Sequence, residues 1–335
     1  MLLELAAGRR VLFVGGKGGV GKTVVASGVA LAQARAGRRV LVVSTDPAHN
    51  LGHLWQVPVG DRTVELAPGL DGLEIDPGRT TDEHLTAVGH TMRRLMPEHL
   101  SGEVDKHLAL ARDAPGTHEA AVLERVAEVL EDTDHDLVVL DTAPSGHTSR
   151  LMALPEMMTA WTDGLLRRQD RSARFGAALR GFDDDGASES IVGTGTRRDR
   201  RAERDHEVRR ILLRRRTRFA RLRDLLTDAD RTAFVIVLAA ERLPVLETIE
   251  LYGQLLRSGV HIGGLVVNKR SPGDASGLLA RRRAQEELHL DTVREALPHL
   301  PFVELPLLPE DVVGAERVAS FSELIAAAGK DAGSR

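Results

Sequence analysis

The chain has 335 residues, of which 42% are apolar and 28% charged, and its 45 basic and 49 acidic side chains leave a net charge of −4. A chain of this length buries a substantial core, in one large α/β domain or one domain carrying an insertion, and nothing in its overall charge demands nucleic acid or an anionic membrane as partner. There is no cysteine, which excludes a disulfide framework, zinc–thiolate sites and metalloid sites built on thiols.

The N-terminal stretch MLLELAAGRRVLFVGG is expected to run straight into a strand. It lacks a basic leader followed by a long apolar run and a small-residue cleavage site. No uninterrupted apolar run approaches the ~18–20 residues that span a bilayer, so a cytoplasmic location is expected. The first predicted strand is RVLFV (10–14), a short apolar run ending at glycines, as a buried parallel strand does. Helical spacing of apolar residues predicts a helix from Lys22 to Ala36, stopped by Gly37. RRVLVVSTD (38–46) follows as the next strand and completes a strand–loop–helix–strand unit.

Residues 80–132 read as helical, and DLVVLDTA (136–143) repeats the strand signal. Residues 151–230 read as helical at both ends around GFDDDGASESIVGTGTRRDRR (181–201), whose Gly, Ser, Asp and Arg content predicts a mobile loop. TAFVIVLAA (232–240), HIGGLVVNK (261–269) and PFVELPLL (301–308) are further strands, with helices expected at 244–258 and 311–327. The expected fold is α/β, a doubly wound, mainly parallel core with a helical insertion subdomain, and the loop GKGGVGKT (16–23) after its first strand makes it a P-loop NTPase core. The expected division is core at 1–79, helical insertion at 80–132, a core strand and the motif after it at 133–150, helical insertion with the mobile loop at 151–230, and core at 231–335.

GKGGVGKT, Gly16 to Thr23, matches G-x-x-x-x-G-K-[ST] between a predicted strand and a predicted helix. Gly16, Gly18, Gly19, Val20 and Gly21 would turn backbone N–H groups onto phosphate oxygens, reinforced by the helix N-terminus. Lys22 is expected on the β- and γ-phosphates, and the Thr23 hydroxyl on Mg²⁺. Asp46 ends one strand and Asp141 another, where open α/β sheets gather their ligands. Asp46 before Pro47 also suits a turn cap.

Lys17 is a second lysine in the loop. With it, the loop resembles the deviant phosphate loop, GKGGxGK[ST], of the MinD, nitrogenase iron-protein and arsenite-pump class. STDPAHNLGHLW (44–55) and DTAPSGHTSRLMALP (141–155) resemble the two switch motifs of the family that contains the arsenite-pump ATPase and the guided-entry tail-anchored-protein-targeting ATPases. The second differs from that family's DTAPTGHT only by Ser145 in place of threonine. The resemblance covers the phosphate loop, both switches and the later core, and fades across the helical insertions.

It implies a Mg²⁺-dependent ATPase working as a nucleotide-gated homodimer. Lys17 would reach across the two-fold to the partner's nucleotide and stabilise charge spread over the transferring phosphoryl oxygens; otherwise it is a solvated lysine beside a basic site. Asp46 would orient the attacking water, and Asp141 would hold Mg²⁺ through water. Asn268, in VVNKR, would meet the adenine edge, and PLLPEDVVGAERV (306–318) would pack near the base. His49 and His147 would position the switches rather than ligate metal, and Pro47, Pro144 and Gly146 would shape switch backbones that respond to the γ-phosphate.

The same family supplies expectations about partners. Its eukaryotic targeting members close their dimer with a Cys-x-x-Cys zinc site, and its pump members bind metalloid through cysteines. Neither is open to this chain, so no zinc is expected. With one nucleotide domain, a homodimer is required if Lys17 acts in trans. Met92, Met96, Met152, Met157, Met158 and Trp161 fall in the insertions, where flexible thioethers suit either an adaptable client surface or core packing. RRDRRAERDHEVRRILLRRRTRFARLRDLL (197–226) places Val208, Ile211, Leu212, Phe219, Leu222 and Leu226 on one face of a basic helix. That helix would pack on the subdomain with a solvated arginine face, or meet an anionic partner. One tyrosine and 3% aromatic residues argue against base stacking on nucleic acid, and membrane contact is expected to be indirect. The alternative roles are an arsenite or antimonite efflux motor, against which the lack of cysteine counts, and a MinD-like spatial or metabolic regulator.

Overall fold

Val11, Leu12, Phe13 and Val14 are all buried, as a continuous apolar run is when both faces of its sheet are covered. The computed structural model describes residues 1–335 apart from 47, 49, 96–100, 115, 144–153, 157–158, 161–162, 165–166, 168–194, 275 and 332–335. Its centre is a sheet of β1 (Val11–Gly16), β2 (Val40–Ser44), β3 (Val64–Ala67), β4 (Leu70–Glu74), β5 (Leu137–Asp141), β6 (Thr232–Ala239), β7 (Ile262–Arg270) and β8 (Phe302–Pro306). The order is β3-β4-β2-β5-β1-β6-β7-β8. Every pairing is parallel except the edge hairpin of β3 and β4.

Alternate residues of the central strands enter two cores. Val11, Phe13, Val138 and Leu140 face the layer of α6 (Thr117–Asp132), α7 (Gly195–Thr227), α8 (Arg242–Arg257) and α9 (Gly277–Ala296). Leu12, Val14, Leu137 and Val139 face the opposite layer of α1 (Leu2–Ala7), α2 (Lys22–Arg35), α3 (Asn50–Trp55) and α10 (Ala315–Asp331). This is the doubly wound α/β arrangement that the sequence predicts. Its β1 lies centrally, with the chain winding outward to β2 on one side and β6 on the other. The remaining helices, α4 (Pro77–Leu95) and α5 (Ser101–Arg112), precede α6 between β4 and β5.

Some elements differ from the expectation. The N-terminus forms α1 before β1, because Leu2 and Ala6, one turn apart, bury against the second core. The β3–β4 hairpin was not expected; β3 is only partly buried and so carries no strong apolar signal. α9 is equally faint in sequence, with only Glu286, Leu290 and Val293 buried along its length. The polar stretch 181–201 lies outside the described residues up to 194, and from Gly195 it is already helix rather than loop. In α7, Phe219, Leu222 and Leu226 are buried as the helical pattern requires, whereas Ile211, farther toward the N-terminus, is 36% exposed. Met96, Met152, Met157, Met158 and Trp161 lie outside the described residues.

Arginines of α7 pair with the acidic face of α6. Arg218 reaches Glu128 at 2.7 Å and Glu131 at 3.1 Å, and Arg221 reaches Glu131 at 2.7 Å. The deepest of these contacts is Glu124, which accepts from Arg215 Nε at 3.0 Å and lies 2.7 Å from Nδ1 of His84 on α4. Burial alone would raise the Glu124 carboxyl, but hydrogen bonds from His84 and Arg215 outweigh it and hold the group down at about 2. A carboxylate depressed in the fold adds stability above its unfolded pKa and loses it as pH falls through the folded value. Glu124→Gln should therefore cost about 3 kcal/mol at pH 7. Urea denaturation at stepped pH should show that gap narrowing below about pH 4.5 and closing near pH 2.

Candidate nucleotide site

The end of β1 is too crowded for a side chain. Gly16 has φ +145°, and a Cβ there would lie 2.1 Å from the Val237 carbonyl oxygen of β6. The chain then turns through Gly19 (φ +80°) and Gly21 (φ +89°) into α2. At Gly21 a Cβ would meet the Asn268 amide nitrogen at 2.4 Å. The glycines of the motif thus allow the loop to lie close against the ends of β6 and β7.

Lys22 and Thr23 open α2. The Lys22 ammonium is 5% exposed and donates to the Lys17 carbonyl at 3.1 Å. Burial holds its pKa below the usual lysine range, opposed by the charges of Asp141 and Asp46. The Thr23 hydroxyl donates to Asp141 Oδ2 at 2.6 Å, joining α2 to the end of β5. Asp141 is fully buried, and burial pushes its carboxyl up to about 7 against the Thr23 hydrogen bond and the Lys22 charge. Its other oxygen, Oδ1, is buried without a hydrogen-bond partner among the described residues. A hydroxyl beside a carboxylate with an uncommitted oxygen is a hard-oxygen set that fits Mg²⁺, a cation that keeps waters and takes few protein ligands.

Asp46 stands two residues past β2, half-buried, close enough for its charge to act on both Lys22 and Asp141. Its backbone N–H donates to Ser44 Oγ at 3.3 Å, while its carboxylate accepts from the Ala48 N–H at 3.1 Å and the Asn50 amide at 3.3 Å. It therefore caps the turn into α3 and sits beside the phosphate loop at once. Glu74, buried at the end of β4, accepts from the N–H groups of Leu51 and Gly52 at 2.8 and 3.2 Å and fixes the start of α3. Trp55 anchors the other end through Nε1 to Ser27 Oγ at 3.1 Å.

Lys17 points elsewhere. Its ammonium is 2.8 Å from Glu247 on α8, with the two side chains 34% and 36% exposed. Asn268, the expected adenine contact, is 5% exposed and donates its amide nitrogen to the Val20 carbonyl at 2.9 Å. The neighbouring Lys269 donates to the Gly19 carbonyl at 2.8 Å. The structure thus brings Lys17, Lys22, Thr23, Asp46, Asp141 and Asn268 around one loop. Pro47, His49, Pro144, Ser145, Gly146 and His147 lie outside the described residues. Glu247, Glu74 and Lys269 escaped sequence reasoning. Glu247 is 230 positions from its partner, whereas Lys269 was readable only as the neighbour of Asn268.

The sequence has relatives along almost its whole length. The family model described as anion-transporting ATPase matches residues 9–327. The chain belongs to the anion-transporting ATPase family. Within this ArsA/GET3 family the chain is 30% identical over 321 residues to "ATPase get3" of Neurospora crassa, covering 94% of this chain and 90% of that protein. It is 31% identical over 322 residues to "ATPase GET3" of Chaetomium globosum, with 94% and 90% covered. The figure is 32% over 323 residues for "ATPase get3" of Pyrenophora tritici-repentis, with 94% and 91% covered. The protein is an ATP-binding ATPase of this family. Among the described residues no helix is long and apolar enough to cross a membrane.

For the metal-free ATPase the raised Asp141 pKa has a definite sign. An acid raised in the fold contributes its stability below the unfolded pKa and loses it as pH rises through the folded value, here between 3.8 and about 7. Without Mg²⁺ or nucleotide, Asp141→Asn should therefore be the more stable protein at pH 8, by at most about 4 kcal/mol. Denaturation with urea at pH 8 and pH 4 checks this; the advantage should be gone at the lower pH.

Proposed function

We propose that this ATPase hydrolyses MgATP as a homodimer in which each active centre is completed by Lys17 of the other copy. Gly16 to Thr23 would wrap the triphosphate, with Lys22 on the β- and γ-phosphates. Thr23 and Asp141 would hold Mg²⁺, Asp141 through water, which shields the γ-phosphate charge when bound. Asp46 would orient the attacking water. Asn268 spends its amide nitrogen on the loop, leaving its amide oxygen to meet the exocyclic amine of adenine. The cation in trans neutralises charge that develops as the phosphoryl group transfers.

The observation that carries this reading is the placement of Lys17. Lys22 is buried within its own loop, whereas the Lys17 ammonium is held outward on Glu247 of α8. On the same helix Leu243 and Leu246 are 60% and 50% exposed, so the cation stands beside apolar surface that a second copy would cover.

The output would be mechanical. The segment after Asp141 leads from the metal-binding strand to the helical region whose described part, α7, is tied to α6 and α4 by the Glu124 contacts. A change at the γ-phosphate would reposition those helices and, with them, a client or partner protein. The expected setting is the cytoplasm.

Complementation tests the trans arrangement. Lys17→Ala and Asp46→Asn should each lose about 10³-fold or more in turnover, with nucleotide binding retained. Mixed in equal amounts, they should recover about a quarter of the parental rate, because half the random dimers carry one intact centre. An unchanged rate in Lys17→Ala rejects the assignment, and absence of recovery on mixing places both residues on one chain.

A further inference from the structure

Lys269 has φ +59°, a left-handed backbone that a lysine rarely adopts. It is flanked by residues that leave it little choice. On one side, Asn268 is buried against Gly21 and bonded to Val20 O. On the other, Arg270 is 2% exposed, with Nε 2.6 Å from Glu304 and Nη1 2.6 Å from Glu286, while Nη2 pairs with Glu287. Glu286 also accepts from the Ser271 N–H at 3.1 Å and the Ser271 hydroxyl at 2.7 Å. The Arg270 carbonyl accepts from the Leu307 N–H at 2.8 Å, where the pairing of β7 with β8 shifts register. A strained backbone persists where its surroundings over-determine it, and such residues gather at functional sites.

We propose that Lys269 is a positioning residue for the phosphate loop, held in its strained conformation by the buried Arg270 ion cluster. A trans peptide is planar, with C=O and N–H pointing oppositely. The bond from Lys269 to the Gly19 carbonyl therefore aims the Val20 N–H away from β7, and the bond from Asn268 to the Val20 carbonyl does the same for Gly21 N–H. Those two N–H groups are donors that the phosphate cradle needs. The ammonium adds polarisation, since a charged donor on a carbonyl strengthens the N–H of the same peptide. The ligand class is the di- or triphosphate of the nucleotide, so the proposal rests on the nucleotide-site reading above.

Glycine and asparagine tolerate a left-handed backbone, so Lys269→Gly and Lys269→Asn remove the ammonium without adding strain. Calorimetric titration of the full chain with MgADP should show about five-fold weaker binding in both, the weight of one exposed hydrogen bond. Their urea midpoints should match or exceed the parent's, because the strain is relieved. Lys269→Arg should bind within about two-fold of the parent, a charged donor being restored. A merely structural lysine would instead lower affinity and urea midpoint together. That result, or parental affinity in both Lys269→Gly and Lys269→Asn, overturns the proposal. Lys22→Ala separates the two readings: if it too binds like the parent, the nucleotide site itself is misassigned and the proposal falls with it.

Discussion

A carboxylate buried beneath a phosphate loop is the constraint on which the rest of this structure depends. Asp141 ends an apolar strand, is fully buried, and leaves one oxygen without a partner among the described residues. Burying such a group stabilises nothing by itself, as its raised pKa records. Its neighbours limit the cost. Thr23 donates to it from α2, Ser44 lies 3.5 Å away on β2, and Lys22 contributes a positive charge. Two separate elements, α2 and β2, therefore converge on the end of β5, with both hydroxyls directed at Oδ2. On the proposed reading the uncommitted oxygen is the one that would face the cation.

The loop itself has few side chains, so it is shaped from outside. Lys22, Asn268 and Lys269 bond the carbonyls of Lys17, Val20 and Gly19. Glycine lets the loop bend, and these tethers choose among the bends it allows. Glu74 and Trp55 do the corresponding work on α3, fixing both ends of the short helix that follows Asp46. On the proposed reading, a nucleotide-driven change would be confined to the backbone between these tethers and anchors.

The architecture was legible wherever burial is two-sided. β1, β2, β5, β6 and β7 are apolar runs because helices cover both faces, and their C-terminal ends gather around the loop, with Val237 against Gly16 and Asn268 against Gly21. Gly16 to Thr23, Asp46 and Asp141 could be found because their spacing is local to a strand end. β3, α1 and α9 stayed hidden, since short or half-exposed elements carry weak periodicity. The same limit applied to the site. Nothing in the sequence links Lys17 to Glu247, or Gly19 to Lys269, because those contacts exist only once β1, β6, β7 and α8 have packed together. Asn268 was read as a base contact from resemblance alone; that it also supports the loop follows from the packing of β7 against Gly21.

Magnitudes separate what is fixed around the loop from what can move. Arg270 is 2% exposed among three glutamates, and removing one partner from a buried ionic cluster of this kind costs about 3–5 kcal/mol. The end of β7 is therefore firmly anchored, and so is the buried bond from Asn268 to the Val20 carbonyl. Lys17 and Glu247 are each about a third exposed, and a pair in that setting is worth at most about 1 kcal/mol. A triphosphate carries several negative charges, so it competes easily for that ammonium. On the proposed reading the end of β7 supports the cradle, while Lys17 can change partners. Lys22 is buried and Lys17 stands at the surface; on the proposed reading the first binds phosphate and the second is given to the other copy.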